Sequence, residues 1–466
     1  MLFPFINPFR PRTRRLLSFC AFLLLLLHGN SPAIAATGTQ PNFLILFLDN
    51  VGYGDLGCYG NRETKTPNID ALAADGVRCT DFYIGSPSCT PSRGALLTGR
   101  HPERTGLNFQ LNAKQNTNGI GLPLQERILP QYLKPLGYVT AAFGKWNLGF
   151  APGARPTERG FDEFLGHASG NIHYYKHLYH GQNDMRRGIE PLDLRGQYST
   201  DIFANAAEDF IRRKRGEPWL VYLPFNAAHF VSSANVEKGE KIEWQVPAKY
   251  LALYGCPPDE ADQKKRFRAV VTALDDAIGR VLRTLDELKL REQTFVLLIS
   301  DNGAFMLKGR GLEVQSNAPL RDGGVTTYEG GVRVPAIFRW PGKLKPGTCR
   351  EVLTSLDVLP TLVRAADGKL PKDRVFDGTD MLPTLAGKKS SPHKMLCWVW
   401  KEGREQNWQA MRKNNWKIVR RSEMEPWELY DLSRDIGESK NLADEKARVV
   451  NELSNQFDHW HKEVRR

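Results

Sequence analysis

Cysteine is sparse and scattered in this chain, with seven in 466 residues, at positions 20, 58, 79, 89, 256, 349 and 397. That spacing excludes the paired motifs of a zinc site and the dense framework of a small disulfide scaffold. Low-complexity tracts and internal repeats are absent, which argues against a solenoid and against a disordered chain. Beyond residue 27 no run is apolar enough for the roughly 20 residues that a bilayer crossing takes. Long basic tracts are missing too. The longest, Arg212-Arg213-Lys214-Arg215, falls at the end of a helical pattern, where it complements the helix dipole without a ligand.

What is present is the make-up of a globular protein, 41% hydrophobic and 25% charged, with a formal net charge of +12. The N-terminus stands apart. Arg10, Arg12, Arg14 and Arg15 precede an apolar stretch over 16–27, and Ala33-Ile34-Ala35 offers a small-residue cleavage site. This is the pattern of a signal peptide over 1–35, with Ala36 as the mature start. It leaves Sec and twin-arginine export both open. The expected location is therefore periplasmic or extracellular, with no stable membrane span after cleavage. Losing those four arginines lowers the charge to +8. Export disfavours nucleic acid as a partner. The residual positive charge suits acidic glycans, or is simply a solvated basic surface.

Apolar, β-rich runs at 42–48, 138–143, 220–223 and 294–299 alternate with helical patterns at 69–74, 127–136 and 201–214. The clearest helix covers about 264–288, where Val270, Val271, Leu274, Ile278, Val281, Leu282 and Leu285 recur on one face. Such alternation predicts an α/β fold with a large, mostly parallel sheet between helices. A Gly-, Pro-, Lys- and Asp-rich connection at 366–392 separates this from four short strands, at 395–400, 408–412, 416–419 and 427–432, and a charged helix at 445–464. The expected organisation is a main domain over 36–380 and a small C-terminal antiparallel sheet with a helix over 381–466.

Chemistry concentrates at Cys89-Thr90-Pro91-Ser92-Arg93, which runs on to Leu97-Thr98-Gly99. Thr90 suits a helix cap, Pro91 the first turn and Gly99 the helix end. Cys89 is then expected just outside a helix N-terminus, a place that favours negative charge, with Arg93 in the first turn. A nucleophile there points to chemistry on an anionic ester. By itself, the pattern is equally that of a capping turn with an ordinary buried or disulfide cysteine.

Two apolar runs end alike, in Asp49-Asn50 and Asp301-Asn302. In open α/β sheets ligands bind beyond the carboxyl ends of the strands. Two carboxylates and two amides meeting there offer hard oxygen ligands, suited to Ca²⁺ or Mg²⁺ and poorly suited to zinc. A single Asp-Asn pair is more simply a turn closing a strand; two pairs together with Cys89 favour a metal. Lys145 and His229 follow two further strands. The first is a candidate to bind an anionic oxygen, and the second to transfer a proton near neutral pH.

From about residue 41 to 445 the chain resembles the formylglycine-dependent type I sulfatases of the alkaline phosphatase superfamily. The resemblance rests on Cys89 to Gly99, Leu48 to Gly57, Thr66-Pro67-Asn68-Ile69-Asp70, Gly144 to Gly149, Ser300 to Gly303, Thr326 to Pro335, and Trp427 to Leu432. It implies an alkaline phosphatase-like fold and sulfate-ester hydrolysis. It also implies conversion of Cys89 to formylglycine by a formylglycine-generating enzyme. Asp49, Asn50, Asp301, Asn302 and the converted Cys89 would bind one Ca²⁺. Arg93 would steady the formylglycine hydrate, Lys145 would hold sulfate, and His229 would protonate the leaving oxygen. The implied substrate is a sulfated small molecule or glycan.

Three positions depart from the family pattern. Asn50 replaces a usual Asp and removes one negative charge from the metal site. Asn147 replaces a usual His, and an amide cannot act as a base. Gly324 replaces a usual Lys that would help bind sulfate; Lys308 or Arg310 are candidates to supply that charge instead. Losing a general base costs about 10²–10⁴ in rate. The departures keep two alternatives open: a sulfatase-fold protein that binds sulfated glycans with little turnover, and a phosphodiester or phosphonate hydrolase. The rim of the pocket is expected in loops 172–195 and 230–262.

Overall fold

The computed structural model describes residues 40–465, apart from 113, 116–117, 237–238, 240–243, 307–312 and 403–405. The expected signal peptide, and Lys308 and Arg310, lie outside the described residues. No helix among the described residues is long and apolar enough to cross a membrane.

The strand Asn42–Leu48 sits at the centre of a ten-stranded sheet. It pairs in parallel with Thr294–Ser300 on one side and Trp219–Pro224 on the other, and the parallel run continues through Val139–Lys145 and Glu163–His167. Antiparallel strands Ala336–Arg339 and Met185–Arg187 extend it in both directions, as expected of a mixed, mostly parallel sheet. Both faces are buried, so the central strand is apolar from Phe43 to Leu48. Leu44, Leu46 and Leu48 enter the layer under helices Ser199–Arg213 and Gln263–Glu287, while Phe43, Ile45 and Phe47 enter the layer under Cys89–Thr98 and Val358–Ala365.

Two boundaries differ from expectation. The helix at 89 starts two residues early, with Ser88 as N-cap in place of Thr90 and Cys89 as its first residue. The strand expected to end at 143 runs to Lys145, which is therefore anchored in the sheet. The basic run at 212–215 closes its helix through ion pairs of Arg212 with Glu287, Arg213 with Glu163 and Lys214 with Glu217.

Strands Met395–Glu402, Gln406–Lys413, Trp416–Arg420 and Glu428–Asp431 form the smaller antiparallel sheet. One face packs on helix Ala447–Val464 through Leu453 and Phe457. The other sets Trp398, Trp400 and Trp408 against Tyr83, Tyr328 and Val332 of the larger layer. A buried charge cluster crosses that seam. Lys417 Nζ lies 2.8 Å from Glu329 and 3.0 Å from Glu438. Glu329 also accepts from Tyr83 Oη at 2.7 Å and pairs with Arg333 at 3.2 Å.

Burial pushes Glu438 above the ordinary carboxylate range, against the pull of Lys417. Burial acts on Glu329 in the same sense, but Lys417, Arg333 and Arg412 outweigh it and hold Glu329 low. A raised folded-state carboxyl contributes stability that is full below its unfolded pKa and is lost as pH rises through the folded value. Glu438→Gln is therefore expected to flatten the fall in unfolding free energy between about pH 5 and about pH 8, read by urea denaturation; an unchanged slope would contradict this. Lys417→Met, which leaves Glu438 without its cation while Glu329 keeps Arg333, should cost about 3–5 kcal/mol.

Candidate active site

The parallel register carries the two acidic strand ends side by side. Leu48 pairs with Ser300, so Asp49 and Asp301, and Asn50 and Asn302, emerge together at the carboxyl edge. Asn50 takes a left-handed backbone with φ 58°, a conformation that Asn tolerates. Its N–H donates to Asp301 Oδ1 at 3.1 Å, and its carbonyl accepts from Gln315 Nε2 at 2.7 Å. Asn302 Nδ2 donates to Asn50 Oδ1 at 2.7 Å.

Cys89 meets this edge from above. Its Sγ lies 3.7 Å from Asp49 Oδ1 and 3.9 Å from Asn50 Oδ1. The helix start is tied down by Gln110, whose Oε1 accepts from Thr90 N at 3.1 Å and from Ser88 Oγ at 2.8 Å. Arg93, fully buried one turn on, donates to Asp301 Oδ2 at 2.6 Å and to the Lys145 carbonyl at 3.2 Å. Lys145 Nζ lies 2.6 Å from Asp49 Oδ2, also fully buried. His229 completes the group: one ligand atom each from Asp49, Cys89 and His229 lies within 4.8 Å of the others. All the expected site residues, Asp49, Asn50, Cys89, Arg93, Lys145, His229, Asp301 and Asn302, thus converge on one buried cluster.

Burial, then the Asp301 carboxylate, pushes the Cys89 thiol well above its ordinary range. A thiol that resists ionisation is a poor nucleophile as it stands. Burial, helped by Lys145, pulls His229 down to about 3. The imidazole is therefore neutral, and Nδ1 lies 2.6 Å from the Phe230 carbonyl, so it carries the hydrogen and Nε2 has the free lone pair. Tyr174 Oη and Trp244 Nε1 brace this loop by donating to the carbonyls of His229 and Ala228, at 2.8 Å and 3.0 Å.

The donor set suits a hard cation. Asn302 Oδ1 is buried and unpartnered, and the nearest recorded neighbour of Asp49 Oδ1 is the Cys89 sulfur. Both are hard oxygen donors, whereas Asn50 Oδ1 already accepts from Asn302 Nδ2 and the Asp301 oxygens accept from Asn50 N–H and Arg93. The departures also have a physical setting. Asn147 has φ 51° and is buried, with both side-chain polar atoms unpartnered. At Gly324 an added Cβ would lie 2.9 Å from Gly303 O and 3.1 Å from the Phe305 ring. Phe305 therefore covers the ledge from which a side chain at 324 would have to grow.

Gln110, Gln315 and the aromatic residues Phe230 and Phe305 were not legible as site residues. Gln110 lies far from the motif it caps and follows no pattern; the Gly323-Gly324 pair was the only hint of a ledge.

Residues 41–368 match the family model for Sulfatase, and residues 325–463 match that for the N-sulphoglucosamine sulphohydrolase C-terminal region. The chain is 35% identical to N-acetylgalactosamine-6-sulfatase of Canis lupus familiaris over 389 residues, covering 78% of this chain and 70% of that protein. It is 33% identical to human arylsulfatase A over 445 residues, covering 87% and 84%. The crystal structure of Ps i-CgsB superimposes with a TM-score of 0.81 at 27% identity, covering 91% of this chain and 93% of that one.

Gly324→Lys alone is expected to overpack the ledge and lower unfolding free energy by about 1–3 kcal/mol. Combining it with Phe305→Ala should recover most of that loss in chemical denaturation. Full stability of the single variant would show that Phe305 does not obstruct position 324.

Proposed function

Because the chain belongs to the sulfatase family of sulfuric ester hydrolases, we propose that it is an exported enzyme cleaving aryl or carbohydrate sulfate esters through formylglycine at position 89. One observation carries this reading: Cys89 opens a buried helix directly over Asp49 and Asn50, with buried Lys145 on Asp49 and buried Arg93 on Asp301. A thiol held un-ionised there fits a precursor better than a working nucleophile. Export rests on the basic, apolar and small-residue pattern of the first 36 residues. A formylglycine-generating enzyme is the partner this requires.

Formylglycine supplies an aldehyde hydrate that can attack sulfur, and Ca²⁺, with Mg²⁺ as the alternative, supplies positive charge beside the sulfate oxygens. Asp49, Asn50, Asp301 and Asn302 would hold the ion, with residue 89 beside it. Arg93, locked on Asp301, steadies the oxygen at position 89. Lys145 reaches the same space and binds a sulfate oxygen. His229 is neutral in the free site; a bound sulfate anion favours its charged form, after which the ring can pass a proton to the leaving alcohol oxygen. Asn147, in contrast, can hydrogen-bond but cannot accept a proton, so release of sulfate from the enzyme is expected to limit turnover. Substrate class is supported by the relatives: an N-acetylgalactosamine-6-sulfatase, an arylsulfatase, and Ps i-CgsB, which was also solved with k-i-k-neocarrahexaose.

A second reading, binding of sulfated glycans with little turnover, is favoured by the unpartnered Asn147 amide and the absence of a side chain at Gly324. Sulfate release from nitrophenyl sulfate and from sulfated monosaccharides separates the two. The enzyme reading expects release above a Cys89→Ala control, loss on chelation and recovery with Ca²⁺. No release above that control would overturn the enzyme reading and leave the second, unless phosphodiester cleavage takes its place, which would contradict both. Asn147→His is expected to raise turnover by about 10²–10⁴; no gain would show that this site does not need a base at 147.

A further inference from the structure

One wall of the cluster is largely apolar, and of its members only His229 takes part in the chemistry above. The His229 ring packs 4.6 Å from Phe230 and 6.1 Å from Phe305, centroid to centroid, and Phe230 meets Phe305 edge-on at 6.3 Å. Trp244 backs Phe230 from behind, also at 6.3 Å. Phe230, Phe305 and Met306 are only partly buried, so the group keeps an accessible apolar surface one ring away from residue 89.

Two adjacent glycines make this surface. An added Cβ at Gly324 would lie 3.1 Å from Phe305 Cδ2 and Cε2, and one at Gly323 would lie 3.1 Å from Met306 Cγ and clash with the Ala304 carbonyl. Asn317 fastens the ledge to the loop that follows Thr294–Ser300: its Nδ2 donates to the carbonyls of Ala304 and Asp322, at 2.9 Å and 2.7 Å, and its Oδ1 accepts from Ala304 N at 2.9 Å. The ring and the thioether thus lie flat on bare backbone, where any larger residue at 323 or 324 would displace them.

We propose that His229, Phe230, Phe305 and Met306 form the leaving-group wall and select sulfate esters of flat, apolar alcohols, aryl sulfates above saturated or polyhydroxy ones. The placement of the sulfate beside residue 89 rests on the proposed function. The selectivity follows from the surface itself. Aromatic rings gain from offset or edge contact with other rings beyond simple burial, and sulfur contacts ring edges favourably. By contrast, the side chains of Phe230, Phe305 and Met306 themselves offer no hydrogen-bond donors to repay the desolvation of a sugar's hydroxyls.

The test reads binding, so that it does not depend on turnover. In a Cys89→Ala background, calorimetry compares 2-naphthyl sulfate, cyclohexyl sulfate and glucose 6-sulfate, which carry the same sulfate on different alcohols. The naphthyl ester is expected to bind about three- to tenfold tighter than either of the others. Phe305→Ala should erase that ratio. Phe305→Leu, which keeps apolar volume and spares the fold, should erase most of it. Equal affinities, tighter binding of the sugar sulfate, no measurable binding of any ester, or a ratio untouched by both Phe305 variants would overturn the proposal. If the ratio holds while the unsubstituted protein releases no sulfate from any ester, the wall stands and catalytic turnover fails.

Discussion

The site depends on a buried exchange of charge. Asp49 and Asp301 are fully buried, and each carboxylate would cost several kcal/mol if left alone in that environment. Arg93 and Lys145 compensate them from two different elements, a helix and a strand. Each partner thereby fixes the rotamer of the other. Removing any one of the four would strand a charge in the interior, so the helix at 89 and the strand ending at Lys145 are held in one relation to the acidic edge. Cys89 takes its place from that relation, and Gln110 trims it by satisfying the Thr90 backbone donor in the first turn of the helix.

Much of this was legible because it follows from local chemistry repeated along the chain. The parallel sheet announced itself through apolar runs alternating with amphipathic patterns, and Asp49-Asn50 and Asp301-Asn302 sat where such strands end. The register that sets Leu48 beside Ser300 then follows once both strands are buried and parallel. Helix ends were less legible. Thr90 resembled a cap, yet the helix begins at Cys89, because Ser88 is extended and its hydroxyl is spent on Gln110. Lys145 was expected in a loop and lies in the strand, since Gly144 fits against the Pro224 carbonyl, where no Cβ would be accommodated. Long-range packing was not legible at all. Nothing in the order of residues places Phe305 over Gly324, or Gln110 beneath Thr90, because those contacts are set by tertiary closure of loops and not by periodicity.

The departures from the family pattern are better understood as rebuilt surroundings than as isolated losses. Where a lysine is usual, this chain has bare backbone with an aromatic ring laid on it, and the ring joins Phe230 and His229. Where a histidine is usual, an asparagine occupies a left-handed position with its amide unspent. At the acidic strand edge Asn50 keeps a side-chain oxygen while removing one charge. In the proposed function these changes touch the groups that would release the product more than those that would hold the sulfate ester.

The central claim is that residue 89 serves as a converted nucleophile in this cluster. Mass spectrometry of the peptide spanning residue 89, from protein made in its native host, tests it most directly. The account predicts an aldehyde, or its hydrate, at position 89 in place of the thiol. An unmodified cysteine throughout that material would contradict it.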